Sequence, residues 1–277
     1  MIDIGANLAH DSFDRDLDDV LTRAWNAGLD AIIVTGSSLA SAQQAMQLAR
    51  RHPQKLYATA GLHPHHANEW TPELGEHFHE LAAEPEVVAL GECGLDYFRD
   101  LSPRADQRRA FAAQLELAAQ LHKPLFLHQR DAHADFLAML GEYRTRLGDV
   151  VVHCFTDTRA ALNDYLALDC HIGITGWICD ERRGAHLIEA VRDIPDARLL
   201  IETDAPYLLP RNATHRDVQV PQAQDAQERP PKQVHRRNEP CFLLWVVKAL
   251  AAARGQSEAH VANITTENAR SCFGLAL

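Results

Sequence analysis

Val87-Val88-Ala89-Leu90-Gly91-Glu92-Cys93-Gly94-Leu95-Asp96-Tyr97 begins as an apolar run of strand length and then sets a carboxylate between two glycines. A parallel strand covered on both faces reads as a continuous apolar run, so charge belongs where the chain leaves the core. Glu92 stands at that exit. Gly91 and Gly94 allow the backbone to bend tightly there or to approach a ligand closely. One such strand end is no more than a turn, but the same pattern recurs along the chain.

Working outward, Met1–Ile4 releases into Gly5-Ala6-Asn7, Ala31–Val34 into Thr35-Gly36, and Leu56–Ala60 into Gly61-Leu62-His63-Pro64-His65. Downstream, Pro124–Leu127 ends at His128-Gln129-Arg130 and Val150–Val152 at His153. Cys170–Ile174 ends at Thr175-Gly176-Trp177, and Arg198–Ile201 at Glu202-Thr203-Asp204. Helical spacing fills the intervals, as in Phe13, Leu17, Val20, Leu21 and Ala24, or in the run that starts after Ser102-Pro103. Eight strands alternating with helices imply a parallel sheet with right-handed crossovers. Eight such units in about 250 residues have the size of a (β/α)8 TIM barrel. An open doubly wound sheet is the competing architecture, but no G-x-G-x-x-G follows the first strand. The chain reads as one domain over residues 1–277, with a polar loop insertion at about 211–236 rich in Gln, Pro, Asp and Arg.

The formal charge of −11 provides no global basic field, so a polyanionic substrate needs a local cationic site or a metal. Cysteines 93, 154, 170, 179, 241 and 272 are scattered without a C-x-x-C pair, which argues against a zinc ribbon or a disulfide framework. No signal peptide precedes Met1-Ile2-Asp3-Ile4. The longest apolar run, near Cys241 to Ala253, is too short to span a bilayer and carries Lys248. The expectation is a soluble, cytoplasmic monomer with no membrane partner.

In a (β/α)8 barrel the C-terminal strand ends converge on one face, where active sites are built. That geometry gathers Glu92, His128, His153 and Asp204, a mixture of imidazole and carboxylate suited to a divalent cation. His77, His79, His122, His186 and His260 fall on predicted helices and read as surface residues. His63 and His65 flank Pro64. They form either a simple turn or a pair that faces the metal, holds a phosphate or protonates a leaving oxygen. Arg130 can pair bidentately with a phosphate oxygen pair. Arg236-Arg237, just before Asn238, can help hold a nucleic-acid backbone, whereas Arg108 and Arg109 read as an ordinary charged helix face.

Taken in order, several motifs closely resemble the TatD family of metal-dependent deoxyribonucleases, among the amidohydrolase-like barrels. They are Gly61-Leu62-His63-Pro64-His65, Gly91-Glu92-Cys93-Gly94-Leu95-Asp96, His128-Gln129-Arg130-Asp131, His153-Cys154-Phe155-Thr156, Glu202-Thr203-Asp204-Ala205-Pro206-Tyr207 and Arg237-Asn238-Glu239-Pro240. Asp3-Ile4-Gly5-Ala6-Asn7-Leu8 and the run from Gly173 to Gly184 resemble the TatD branch in particular. The resemblance spans essentially the whole chain. It implies 3′→5′ exonucleolytic hydrolysis of DNA, favouring single strands and extending to RNA, with magnesium and a role in DNA repair or fragment clearance. It also implies Glu92, His128 and His153 as metal ligands, Asp204 as the catalytic carboxylate at the metal, His63 or His65 as proton donor, and Arg130 and Asn238 as substrate contacts. Many relatives carry H-x-H after strand one, and here those positions are Gly5 and Asn7. Glu202 is expected to face away from Asp204 and to support the site from behind.

Ligand type alone does not separate magnesium from manganese, and two histidines also admit zinc. Two further readings stay open on the residues. One is a metal-dependent amide or ester hydrolase, including an aminoacyl-ester deacylase, although no strand-end lysine bridges two metals here. The other is a non-catalytic metal-binding scaffold, although structural sites are usually closed and cysteine-rich.

Overall fold

The computed structural model describes residues 1–213 and 237–276. Eight strands follow one another around a parallel sheet: β1 (Ile2–Ala6), β2 (Ala31–Val34), β3 (Leu56–Ala60), β4 (Val87–Asp96), β5 (Leu125–Arg130), β6 (Val150–Val152), β7 (His171–Ile174) and β8 (Leu199–Ile201). The helices are α1 (Leu17–Asn26), α2 (Leu39–Arg51), α3 (Pro72–Ala83), α4 (Arg104–Leu121), α5 (His133–Tyr143), α6 (Arg159–Ala167), α7 (Leu187–Ala190), α8 (Leu243–Arg254) and α9 (Glu258–Phe273). The expected (β/α)8 barrel therefore forms. From residue 214 to residue 236, the stretch expected as a polar insertion lies outside the described residues.

Inward-facing Ile2, Ile4, Ala31, Ile33, Val88, Phe126, Val151 and Leu200 fill the barrel, and Phe273 and Leu275 at the end of α9 close its N-terminal mouth. The Tyr57 hydroxyl donates to Ala276 O at 2.8 Å to hold that plug in place. With its N-terminal end packed by side chains, the barrel interior opens only at the C-terminal strand ends among the described residues. The helix sides of the strands meet a larger apolar layer that runs through Phe111, Phe136 and Tyr165.

β4 is the longest strand, and it continues past Glu92 to Asp96 instead of ending at the carboxylate. Glycine makes this possible. Gly91 and Gly94 have φ of +133° and +145°, and a Cβ at either would overlap the β5 backbone at Phe126 O or His128 O. Two glutamines of α4 then fix the loops beside the strand end. Gln107 accepts from Asp96 N and Gln114 from Leu62 N, each at 2.8 Å.

β1 and β8 meet at a seam. Asp204 N donates to Gly5 O at 2.8 Å and Asn7 N to Ala205 O at 2.7 Å. Below them, the fully buried Asp3 carboxyl accepts from Thr203 N at 2.9 Å and sits 2.5 Å from Thr203 Oγ1. Burial pushes the Asp3 carboxyl up to about 8, against the hydrogen bonds from Thr203 and Gly5. An acid raised in the folded state contributes stability below its unfolded value that is lost as pH rises through about 8. Wild-type protein is therefore expected to melt lower at pH 9 than at pH 6. Asp3→Asn, which mimics the protonated acid, should flatten that difference in thermal denaturation; an unchanged slope would show that Asp3 is not its source.

Candidate metal centre

Three imidazole nitrogens converge on one oxygen. Glu92 Oε1 lies 2.8 Å from His153 Nε2, 2.9 Å from His128 Nδ1 and 3.4 Å from His63 Nε2. Each ring comes from the end of a different strand, β6, β5 or β3, and Glu92 from within β4. Glu92 is held well below the usual carboxylate range, burial notwithstanding, by the His63 and His153 rings and by hydrogen bonds from His128 and His153. Burial opposes charge on His153, but Glu92 and Glu202 hold it well above its ordinary value. For His63 burial wins, and its pKa falls to about 4. Its Nδ1 accepts from His65 N at 3.1 Å, so the proton of the neutral ring sits on Nε2, facing Glu92.

Asp96 and Glu202 are two further acids of the site. Asp96 accepts from the backbone N–H groups of Phe98 and Arg99, holds His65 Nε2 at 2.9 Å and lies 3.5 Å from His128 Nε2. Sequence reasoning passed over Asp96 because a run of apolar residues and glycines gives no sign that the strand continues beyond Glu92. Glu202 corrects an expectation. Glu202 lies one residue past β8, two beyond the inward-facing Leu200, and points into the barrel instead of away. It bonds His153 Nδ1 at 3.3 Å and takes the Cys154 N–H. Its carboxylate occupies space that Gly5 and Gly173 leave open, since a Cβ at either would come within 2.6 Å of it.

This packing also accounts for the two non-histidine positions after strand one. A side chain at Gly5 would strike Glu202 and Phe126. Asn7 instead donates to Asp204 Oδ1 at 2.9 Å. Burial, with the charges of Glu92 and Glu202, pushes Asp204 up to about 7 against the opposing pull of His153 and the Asn7 hydrogen bond.

The donor set fits a divalent cation. A ligand-type atom of each of Glu92, His128 and His63 lies within 4.8 Å of the others, and His153 meets the same Glu92 oxygen; with the His63 proton on Nε2, the donors left to an ion are Glu92, His128 and His153. His128 Nε2 is buried without a hydrogen-bond partner, since 3.5 Å to Asp96 is too long for one.

His65 stands half-buried beside this cluster, on Asp96. Arg130 extends over the mouth from the end of β5, its guanidinium 5.0 Å from the Phe98 ring and 5.3 Å from that of Trp177. Asn238 departs from its expected role as a substrate contact. It is fully buried, its amide donating to Thr203 O at 2.9 Å and accepting from Glu239 N at 2.9 Å. Arg237 is likewise internal. It pairs with Asp16 at 2.6 Å and with Glu239 at 2.9 Å, and Glu239 in turn holds Arg23 at 2.7 Å. These motif residues pin the returning chain to α1 and β8. Arg236 lies outside the described residues.

The model of the family described as TatD related DNase matches residues 2–274. A 3′-5′ ssDNA/RNA exonuclease TatD from Erwinia billingiae is 49% identical over 275 residues, covering 99% of each chain. Its counterpart from Escherichia fergusonii is 45% identical over 276 residues, covering 100% of both. Among solved structures, a TatD family hydrolase from Entamoeba histolytica superposes with a TM-score of 0.85 at 28% identity, over 100% of this chain and 98% of that one.

A cation binding only the folded state at a hundred times its Kd adds about 2.7 kcal/mol, roughly 5 °C in melting temperature. Magnesium or manganese titrated into EDTA-treated protein should produce such a rise. His128→Ala and Glu92→Gln should lose most of it. An undiminished rise in both would place the ion elsewhere.

Proposed function

The chain belongs to the TatD-related DNase family, and from that membership we propose a divalent-metal-dependent exonuclease that removes nucleotides 3′→5′ from single-stranded DNA and RNA. The observation that carries the reading is the convergence of His63, His128 and His153 on Glu92, beside a half-buried Asp204 held by Asn7. Glu92, His128 and His153 are the residues we assign to the cation, with Asp204 at its edge and magnesium the cation proposed. When bound, such an ion lowers the pKa of water and offsets charge on phosphoryl oxygens.

The side chains divide the remaining work. Asn7 fixes one oxygen of Asp204, leaving the other to take the proton of the attacking water. Glu202 orients His153 through Nδ1, the kind of supporting carboxylate that sets a ligating ring's tautomer. His63 keeps its ring proton on Nε2 and can donate a hydrogen bond to a phosphoryl oxygen. His65, oriented by Asp96 and closer to solvent, is the better placed of the two to protonate the departing 3′-oxygen. Arg130 faces the mouth and supplies a fixed positive charge to the scissile phosphate.

No helix among the described residues is long and apolar enough to cross a membrane.

A 5′-labelled single strand incubated with magnesium should shorten one nucleotide at a time from its 3′ end. Asp204→Asn should lower kcat about 10²–10⁴-fold, the usual worth of a positioned base, with an unaltered melting temperature. Near wild-type turnover in that variant would dismiss Asp204 as the base. Preferential hydrolysis of a cyclic amide or an aminoacyl ester over the oligonucleotide would dismiss the nuclease reading.

A further inference from the structure

Among the described residues, three large apolar side chains stand mostly in solvent: Phe98 at 61% exposure, Leu101 at 67% and Tyr207 at 52%. Single exposed apolar residues scattered over a surface need no explanation. These are not scattered. Phe98 and Leu101 follow β4 and Tyr207 follows β8, so all three ring the mouth that holds the carboxylates and imidazoles.

Phe98 is the outer member of a stack. The Arg130 guanidinium lies between the Phe98 and Trp177 rings, and that of Arg183 lies 4.5 Å over Trp177. Arg130 has a weak hydrogen bond to Thr156 Oγ1 at 3.4 Å and, among the described residues, no paired carboxylate. Arg99, next to Phe98, is exposed and only loosely paired with Asp96 at 3.6 Å. Across the mouth, Tyr207 N donates to Asp204 O at 3.0 Å, and its ring meets the edge of His10 at 5.8 Å. Tyr207 thus stands beside Asp204 on the β8 side of the mouth, its ring more than half exposed.

We propose that Phe98 and Tyr207 form a subsite for the nucleobases of the 3′-terminal nucleotides, with Arg99 and Arg130 meeting the phosphates of the same strand. The proposal rests on the exonuclease reading and says how the strand is held. Aromatic faces interleaved with guanidinium groups are the chemistry of single-strand grooves, where every base offers a π-face and no base edge has to be read. A duplex hides those faces. The subsite therefore suits a single-stranded 3′ end, whose bases are free to stack, in DNA or in RNA. It also puts positive charge where a chain of net charge −11 needs it.

The test compares removal of the 3′-terminal nucleotide from an ordinary single strand and from the same strand with its two 3′-terminal nucleotides made abasic. Wild type should show a KM about tenfold higher on the abasic strand, the scale of one lost stack. Phe98→Ala should show that rise already on the ordinary strand and little more on the abasic one, and Phe98→Trp should restore the wild-type pattern. Phe98 is too exposed for its truncation to open a cavity. Equal losses on both strands in Phe98→Ala, or none on either, would overturn the subsite. Wild-type protein that left both strands uncut would instead remove the exonuclease reading beneath it.

Discussion

Glu92, Asp96, Glu202 and Asp204 are crowded at one end of a barrel whose other end is packed with hydrocarbon. Carboxylates removed from water need partners, and like charges at short range cannot all ionise freely. His63, His128 and His153 meet part of that need, while burial, with the charges of Glu92 and Glu202, still pushes Asp204 up to about 7. A divalent cation adds the missing positive charge. The same electrostatic deficit that would destabilise a protein without function is, in this arrangement, the driving force for holding the ion on which phosphodiester chemistry depends.

Backbone geometry is what permits such crowding. Glu202 enters the barrel only because residues 5 and 173 are glycines. β4 extends to Asp96 only because residues 91 and 94 lie against β5 without side chains. The β1–β8 seam carries both kinds of constraint. It joins the barrel through Asp204 N and Asn7 N, and it thereby ties the height of Asp204 to that of Gly5 and Asn7. A residue able to accept a proton is thus fixed by the same hydrogen bonds that close the fold.

The barrel was legible in the sequence because buried parallel strands are apolar throughout, so each one announces its own end by its first polar residue. His153 and Glu202 are such residues, with Asp204 two places on, whereas Glu92 and His128 mark the mouth from within strands that run further. Legibility failed where this rule does not apply. Asp96 lies beyond a glycine pair inside the strand, and Glu202, one residue past β8, turns inward into space that the distant Gly5 and Gly173 leave open. Arg237 and Asn238 carry polar groups that look suited to substrate. Their donors and acceptors are consumed internally by Asp16, Glu239 and Thr203 instead, a partnership across more than two hundred residues for Asp16 and Arg237 that no local pattern reveals.

Charge is distributed in two tiers at the mouth. The lower tier, with its carboxylates and imidazoles, suits a divalent cation. The upper tier alternates rings and guanidinium groups and meets a larger, softer polyanion. An acidic protein gains little from long-range attraction to nucleic acid, so affinity has to come from short-range contacts that form once a strand end arrives. Stacking is such a contact, insensitive to the protein's net charge and indifferent to base identity. In the proposed subsite, Coulombic contacts from Arg99 and Arg130 then add to the stacking. The fold separates these groups by depth: the carboxylates and imidazoles lie at or just beyond the strand ends, and the loops that follow β4, β7 and β8 present the rings.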